Sequence, residues 1–258
     1  MLKKRLIGVV TIKDSWAVQS FGYKNYLPLG RPEYLVENLE RWGVDEIFVI
    51  CIDRSKHNLG PDFSILKRIS SMGLSTPLIY GGGICTSKDA ASVIQLGAER
   101  ICVDAVIHDN HEQIREMAEL IGAQALIASL PVALKNNRIH HYDYRSKKSV
   151  PFTENKSSLL SQGIISEALV IDWKNEGKKN SFNLNLIKYF PTKNVPLIVF
   201  GGLSESELIA RAFDYPSVVG AGVGNFLNYS EHALQILKNG LLRCAIRPNT
   251  FCESEKRH

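Results

Sequence analysis

The sequence has little of what would make a disulfide scaffold, a membrane span or a nucleic-acid binder. Five cysteines are spread over 258 residues. Cys51, Cys85 and Cys102 sit in or beside apolar segments with no metal-binding spacing, and Cys244 and Cys252 lie near the end. An odd, scattered set excludes a disulfide framework and reads as reduced thiols, each serving mainly as a small apolar residue. No apolar run approaches the roughly 18 residues that a spanning helix needs. The basic start, Met1-Leu-Lys-Lys-Arg5, is not followed by a signal-peptide apolar stretch with a small-residue cleavage site, so a cytoplasmic protein without membrane attachment is expected. Net charge is only +5. The basic clusters, Lys147-Lys148 and Lys256-Arg257-His258, are too short for a nucleic-acid stripe. The mild excess suits anionic small molecules or an acidic partner.

What is present is an alternation of short apolar runs with amphipathic stretches. Strands are expected at 5–12, 46–52, 76–80, 100–106, 125–130, 167–172, 196–200 and 217–223. Each is rich in Val, Ile or Leu without polar alternation, as in parallel strands covered on both faces. Helices are expected between them. Pro32 to Trp42 begins with Pro in its first turn and stops at Gly43; Phe63 to Met72, Ser87 to Leu96 and Asn110 to Ile121 each stop at a glycine. Ser87 is the expected cap of the third. Further helices are expected near 154–162, 183–190, 204–212 and 230–239. Eight such units, evenly spaced, predict one closed α/β barrel of the (β/α)8 TIM type, a size at which that fold forms a single domain. Residues 138–144 are expected to form a small hairpin after strand five, and 241–258 a tail without period.

An internal repeat divides the barrel. Pro77-Leu-Ile-Tyr-Gly-Gly-Gly-Ile84 recurs as Pro196-Leu-Ile-Val-Phe-Gly-Gly-Leu203, and Glu46-Ile-Phe-Val-Ile50 as Glu167-Ala-Leu-Val-Ile171. Two similar half-barrels, at about 1–122 and 123–240, are expected. Gly81-Gly-Gly83 follows a strand and precedes a helix, an arrangement that lets backbone N–H groups approach a phosphate; otherwise it is a tight turn without a ligand. Gly201-Gly202 repeats it, and Gly220-Ala-Gly222-Val-Gly224 adds a third turn where barrels often bind phosphate.

The opening MLKKRLIGVVTIKD, the GVDEIF at 43–48, YGGGI at 80–84 with LGAERICVDA, IGAQALIAS at 121–129 and FGGLSESE resemble the cyclase subunit of imidazole glycerol phosphate synthase. The likeness runs in order over nearly the whole chain. It implies a barrel in a heterodimer with a glutamine amidotransferase subunit, whose ammonia passes through the barrel to a phosphorylated substrate. It implies no cofactor and no metal. Adjacent His140-His141 on a loop do not read as ligands. The family's two acid–base aspartates fall at positions that hold Thr11 and Pro131 here. Thr does not ionise near neutral pH and Pro has no side-chain acid. General acid–base catalysis contributes roughly 10²–10⁴-fold, so cyclase turnover is expected to be small. Asp53 and Asp172, at strand ends, are the carboxylates best placed to substitute, though each reads as readily as a structural acceptor. Gln19 stands at a substrate-loop lysine, Asp104-Ala105 at a phosphate-holding Asn-Thr pair, and Glu176-Gly177-Lys178 at an Asp-Gly-Thr. A carboxylate at Asp104 would repel a phosphate there. Gly83, Gly177, Gly202, Gly222 and Gly224 remain as phosphate-site expectations. Trp16 and Tyr23, after strand one, are candidates for a lid.

The resemblance is stronger at the other end of the barrel. Arg5, Glu46, Arg100 and Glu167 each directly precede or begin a strand, at the N-terminal rim. They match the residues that ring the family's ammonia entrance, with arginine for lysine at 100. Charges at strand starts also form plain bottom-face ion pairs. Glu99 is a candidate contact with the amidotransferase. The leading expectation is a cyclase-like partner that passes ammonia to an acceptor enzyme for an acetamidino surface sugar, as in divergent copies of this family. The alternatives are a true cyclase with relocated acid–base groups and a non-catalytic barrel that binds a phosphorylated metabolite.

Overall fold

A computed structural model describes residues 3–192, 194–229 and 232–248; Cys252 and most of the expected tail lie outside them. In the first half, β1 (Arg5–Lys13), β2 (Trp16–Phe21) and β3 (Asn25–Gly30) precede α1 (Pro32–Trp42), β4 (Glu46–Cys51), α2 (Phe63–Ser70), β5 (Leu78–Gly81) and α3 (Ser87–Gln95). There follow β6 (Arg100–Val103), α4 (Ala105–Asp109) and α5 (His111–Ile121). The second half holds β7 (Leu126–Lys135), β8 (Arg138–Asp143), β9 (Lys148–Pro151), α6 (Glu154–Ser161), β10 (Glu167–Asp172), α7 (Asn185–Lys188), β11 (Leu197–Phe200), α8 (Ser206–Phe213), β12 (Val218–Val223) and α9 (Ala233–Gly240).

Eight of these strands pair in parallel in the order β1-β4-β5-β6-β7-β10-β11-β12. β12 pairs back onto β1, Arg5 opposite Gly220, and closes the (β/α)8 barrel. The remaining four strands are antiparallel arms. β2 and β3 extend β1, and β8 and β9 extend β7. The arms therefore rise from the first and fifth barrel strands, on the C-terminal face.

The period of two along each strand sorts its side chains between two cores. Ile7 and Val9 of β1 point inward and pack with Phe48, Ile79, Cys102, Ile127, Leu169, Ile198 and Phe200. Leu6, Val10 and Ile12 point outward against the helices. Following the inward parity down reaches Arg5, Glu46, Arg100 and Glu167; following it up reaches Thr11, Asp104 and Pro131. One alternating pattern thus assigns the charged ring to one end of the lumen and the candidate chemistry to the other.

The structure moves some expected boundaries. β6 ends at Val103 rather than at 106, because Asp104 leaves extended geometry (φ −129°, ψ −68°) and Ala105–Asp109 is a short buried helix. A brief apolar run cannot be told from a strand by periodicity alone. The cap of α3 is Thr86 rather than Ser87: its hydroxyl accepts from the Asp89 N–H while Asp89 accepts from the Thr86 N–H, a capping box. The segment after strand one is a hairpin rather than a loop, and the start of the tail is docked. Lys4 N–H donates to Ala245 O at 2.7 Å, and Arg247 N–H to Lys4 O at 3.2 Å.

Candidate functional site

Three features line up along the barrel axis: a charged ring at the N-terminal end, an apolar lumen, and a cavity at the C-terminal end. In the ring, Arg5 Nη2 meets both oxygens of Glu167 at 2.7 and 2.8 Å, and Arg5 Nη1 lies 3.4 Å from Glu46 Oε1. Arg100 Nη1 lies 2.9 Å from Glu167 Oε2 and 3.7 Å from Glu46 Oε1. The sequence-identified four therefore form one closed circuit of alternating sign, each side chain at most 14% exposed. Glu46 is the loosest member. Its other oxygen is buried without a partner, and burial raises its pKa against the lowering pull of Arg5 and Arg100. Glu99 is exposed beside the ring.

Above the ring the lumen is apolar. Ile7, Val9, Phe48, Ile79, Cys102 and their neighbours surround a void of only about 10 Å³, which Gly222 also borders. Gly222 therefore sits inside the lumen, packed between Phe200 and Val9, rather than in an anion site.

Over the lumen opens a cavity of about 550 Å³. Its floor includes Ser129, Pro131, Cys102 and Gly81 to Gly83, and its rim carries Lys13, Lys24, Lys56 and Lys147. Both arms supply wall residues, Tyr23 and Tyr26 from the first and Tyr142 and Tyr144 from the second. Tyr142 stacks on Trp173 with ring centroids 4.1 Å apart. Two donors in this wall, Tyr23 Oη and Trp173 Nε1, are buried without a partner. Trp16, by contrast, is 53% exposed and does not line the cavity.

Gly83 lies in this cavity at φ +75°, where a Cβ would run into the carbonyl of Gly60. Its N–H already donates to Ser55 Oγ at 2.9 Å. Gly177, Gly202 and Gly224 instead border a second cavity of about 350 Å³ with Lys178, Lys179, Ser204 and Asn225. The expected glycines thus divide three ways: one in the first cavity, three in the second, one in the lumen.

The strand-end carboxylates also separate. Asp53 accepts from the Asp14 N–H at 2.9 Å, and buried Asp172 accepts from the Asn183 N–H and the Asn175 amide, both at 2.9 Å. Neither lines the cavity. Thr11 is buried and does not line it either, whereas Pro131 does. Cys51 is also in the wall, its thiol pushed up to about 12 by burial and so not a nucleophile at neutral pH.

The acid in the cavity wall is Asp104, and the sequence did not mark its surroundings. Asp104 Oδ1 is buried and faces His141 Nε2 at 3.6 Å and His108 Nε2 at 3.9 Å. The two imidazoles stack with centroids 4.0 Å apart. Behind them, Lys156 Nζ lies 3.0 Å from His108 Nδ1 and 2.9 Å from His141 Nδ1. Burial lifts Asp104 to about 7, lowers His108 to about 4 and His141 to about 3, and lowers Lys156. The only sequence signal was the Asp104/His108 spacing of four across a strand end. His141 and Lys156 come from elements 30 or more positions downstream, where no local pattern points to them.

A closed (β/α)8 barrel with its open cavity at the C-terminal face is the architecture in which barrel enzymes place their sites. The chain belongs to the family described as histidine biosynthesis protein, whose profile matches residues 5–233. It is 26% identical over 249 residues to imidazole glycerol phosphate synthase subunit HisF of Pyrococcus furiosus, covering 95% of this chain and 98% of that protein. It is 27% identical over 236 residues to a Vibrio vulnificus protein described as "Putative imidazole glycerol phosphate synthase subunit hisF2", covering 90% and 86%. A Campylobacter jejuni protein of the same description is 28% identical over 244 residues, covering 94% and 97%. Among the described residues no helix is long and apolar enough to cross a membrane.

Proposed function

We propose that this chain is a cyclase-subunit-like partner of a glutamine amidotransferase, and that ammonia released there passes up the barrel to an acceptor enzyme that builds an acetamidino surface sugar. The observation that carries this reading is the closed ring of Arg5, Glu46, Arg100 and Glu167 beneath an apolar lumen. Neutral ammonia crosses an apolar lumen at little cost, whereas hydrated ions do not. A ring whose charges neutralise one another admits it once a single member swings aside. Glu46, with its long contacts and a vacant oxygen, is the member that moves. Exposed Glu99 belongs to the docking face. The replacement of two acid–base aspartates by Thr11 and Pro131 supports a role other than histidine synthesis.

The test compares nitrogen sources. With the amidotransferase and acceptor present, Glu46→Ala should impair glutamine-dependent transfer several-fold and leave transfer from added ammonium unchanged. Equal use of both sources by a folded variant reduces the ring to a structural ion-pair cluster and removes the conduit. In a separate assay, the chain with the phosphorylated substrate of the resembled cyclase and high ammonium should turn over at least 100-fold more slowly than an ordinary cyclase, on the order of the loss expected for acid–base groups. A comparable rate would instead favour the reading as a true cyclase with relocated groups.

A further inference from the structure

Asp104 is the single carboxyl among the described residues that line the first cavity. Its side chain is 16% exposed, with Oδ1 turned away from the cavity toward His108 and His141. The hydrogen-bonding chemistry of those neighbours is constrained. A lysine ammonium donates only, so Lys156 makes both Nδ1 atoms acceptors. Each neutral imidazole then carries its hydrogen on Nε2, and both Nε2–H groups face Asp104 Oδ1 from 3.6 and 3.9 Å, beyond hydrogen-bond reach, so that all three atoms are unpartnered. A cationic lysine, two neutral imidazoles and a carboxylate form a cluster with no net charge, hydrogen-bonded on the lysine side.

We propose that Asp104 is the acid–base group of the C-terminal cavity, that His108, His141 and Lys156 form the relay that supplies and removes its proton, and that its ligand is a small, flat, anionic molecule. The relay step balances. Once a small side-chain shift closes the 3.6 Å gap between His141 Nε2 and Asp104 Oδ1, Lys156 gives a proton to the imidazole Nδ1 as the same ring gives its Nε2 proton to Asp104 Oδ1. The result is a neutral lysine, the other imidazole tautomer and a carboxylic acid, and the network stays neutral. Toward the cavity, the carboxylate takes a proton from an O–H or N–H of the ligand. The carboxyl O–H bond forms, the ligand's bond to hydrogen breaks, and its electron pair stays on the ligand atom. The acid form returns the proton by the reverse step, without oxidant or reductant.

The ligand class follows from the wall. Of the four rim lysines Lys13 pairs with Asp14, and the cations of Lys24, Lys56 and Lys147 select an anion. Buried Tyr23 Oη and Trp173 Nε1 are donors that lack acceptors, so the ligand brings acceptor oxygens. The Tyr142–Trp173 stack offers a flat surface.

The same three atoms, Asp104 Oδ1 and the two Nε2 atoms, lie within 4.8 Å of one another, a spacing a metal ion could span. Ligation would leave each imidazole with its hydrogen on Nδ1, where the group that orients a metal-bound imidazole is normally an acceptor. Here both Nδ1 atoms face one lysine nitrogen, which has at most one lone pair to offer. The geometry therefore favours the proton network.

Other charged groups act on Asp104 as well. Arg145 lowers its pKa and Asp143 raises it, both from the second arm. Tyr23, Cys102 and Tyr144 also feel its charge. Ligand binding should nevertheless read out through Asp104, because a bound anion disfavours its ionised form.

The experiment uses the full chain and a benzenedisulfonate, a flat dianion that does not titrate near neutral pH. Calorimetry in two buffers of different ionisation enthalpy measures protons taken up on binding, and the Trp173 indole resonance locates the probe. Expected is uptake of a substantial fraction of a proton near pH 7, lost in Asp104→Asn while binding persists, and shifted to higher pH in Lys156→Met. No binding would overturn the ligand class. Equal uptake in Asp104→Asn would overturn the role of Asp104. Should that variant not fold, carbon-13 titration of the unmutated chain decides: an aspartate carboxyl titrating near neutral pH is required, and its absence overturns the proposal. Stoichiometric Zn(II) retained by the parent and lost in His141→Ala would also overturn it. None of these readouts involves an amidotransferase, so failure here leaves the conduit reading standing, and failure of the conduit leaves Asp104 standing.

Discussion

Burial moves Asp104 and its two histidines in opposite directions on the pH scale, with opposite consequences for stability. Asp104 titrates near 7 in the folded chain, above the ordinary 3.8. Between those values the folded state holds more protons, so stability falls as pH rises through that window. His108 and His141, near 4 and 3, lie below the ordinary 6.5. There the unfolded state binds more protons, so stability is present above 6.5 and is lost as pH falls toward 4 and 3. Asp104→Asn should therefore stabilise the chain more at pH 8 than at pH 5, by a difference on the order of a few kcal/mol. Thermal melts at the two pH values check this. Comparing them cancels whatever the amide does to local packing, and an equal effect at both would show that the carboxyl is not held near neutrality.

A second residue-scale case lies far from the cavity. Lys238 of α9 is 1% exposed, and its ammonium meets Gly43 O at 2.8 Å and Asp45 Oδ1 at 3.1 Å. Asp45 Oδ2 accepts from the Leu6 N–H at 2.7 Å. The pair fastens the last helix to the start of β1. Lys238→Ala leaves Asp45 buried without its cation, so a loss of about 3–5 kcal/mol is expected in chemical denaturation.

At the scale of elements, the two arms decide what the cavity is. Each is an antiparallel extension of a barrel strand, and each turns tyrosines over the cavity. The strand-to-helix turns decide where a tetrahedral anion would sit. Gly202 has φ +84°, and a Cβ there would crowd Ser181 Oγ and the Phe182 amide nitrogen. Gly202→Ala should cost about 1–3 kcal/mol, the range for a non-glycine residue in that backbone region. It should also weaken sulfate binding. In the parent chain, sulfate should be found at the turns of Gly202 and Gly224, with Lys178 and Lys179 beside them, more readily than at Gly83, whose N–H is already engaged by Ser55. Crystals grown in sulfate test this. Equal occupancy at both turns would show that the Ser55 contact yields readily.

For the molecule as a whole, the barrel separates two kinds of chemistry by its length. Ionic groups close one end, an apolar lumen insulates it, and a cavity with one acid and four lysines opens at the other. Family membership covers residues 5–233, which contain all of these features. Pro131 and Asp104 stand at the cavity end, with Thr11 on the same inward parity, and the four ring charges stand at the other end.

The sequence by itself determined the barrel, its eight parallel strands and the ring. Strands buried on both faces need continuous apolar runs, and strand parity fixes which residues point inward. Arg5, Glu46, Arg100 and Glu167 were legible because each sits at the start of such a run. Local patterns could not resolve the end of β6, since the short apolar run Ala105–Ile107 fits a strand or a helix. They also could not separate the glycines, because whether an amide is free depends on contacts such as Ser55 with Gly83 from another turn. Only the tertiary structure decided that Asp53 and Asp172 are occupied as acceptors while Asp104 is backed by His108, His141 and Lys156. A cluster of titratable groups assembled from a strand end, a hairpin and two helices has no sequence period. Its members meet only because barrel closure and the second arm bring their elements to one place.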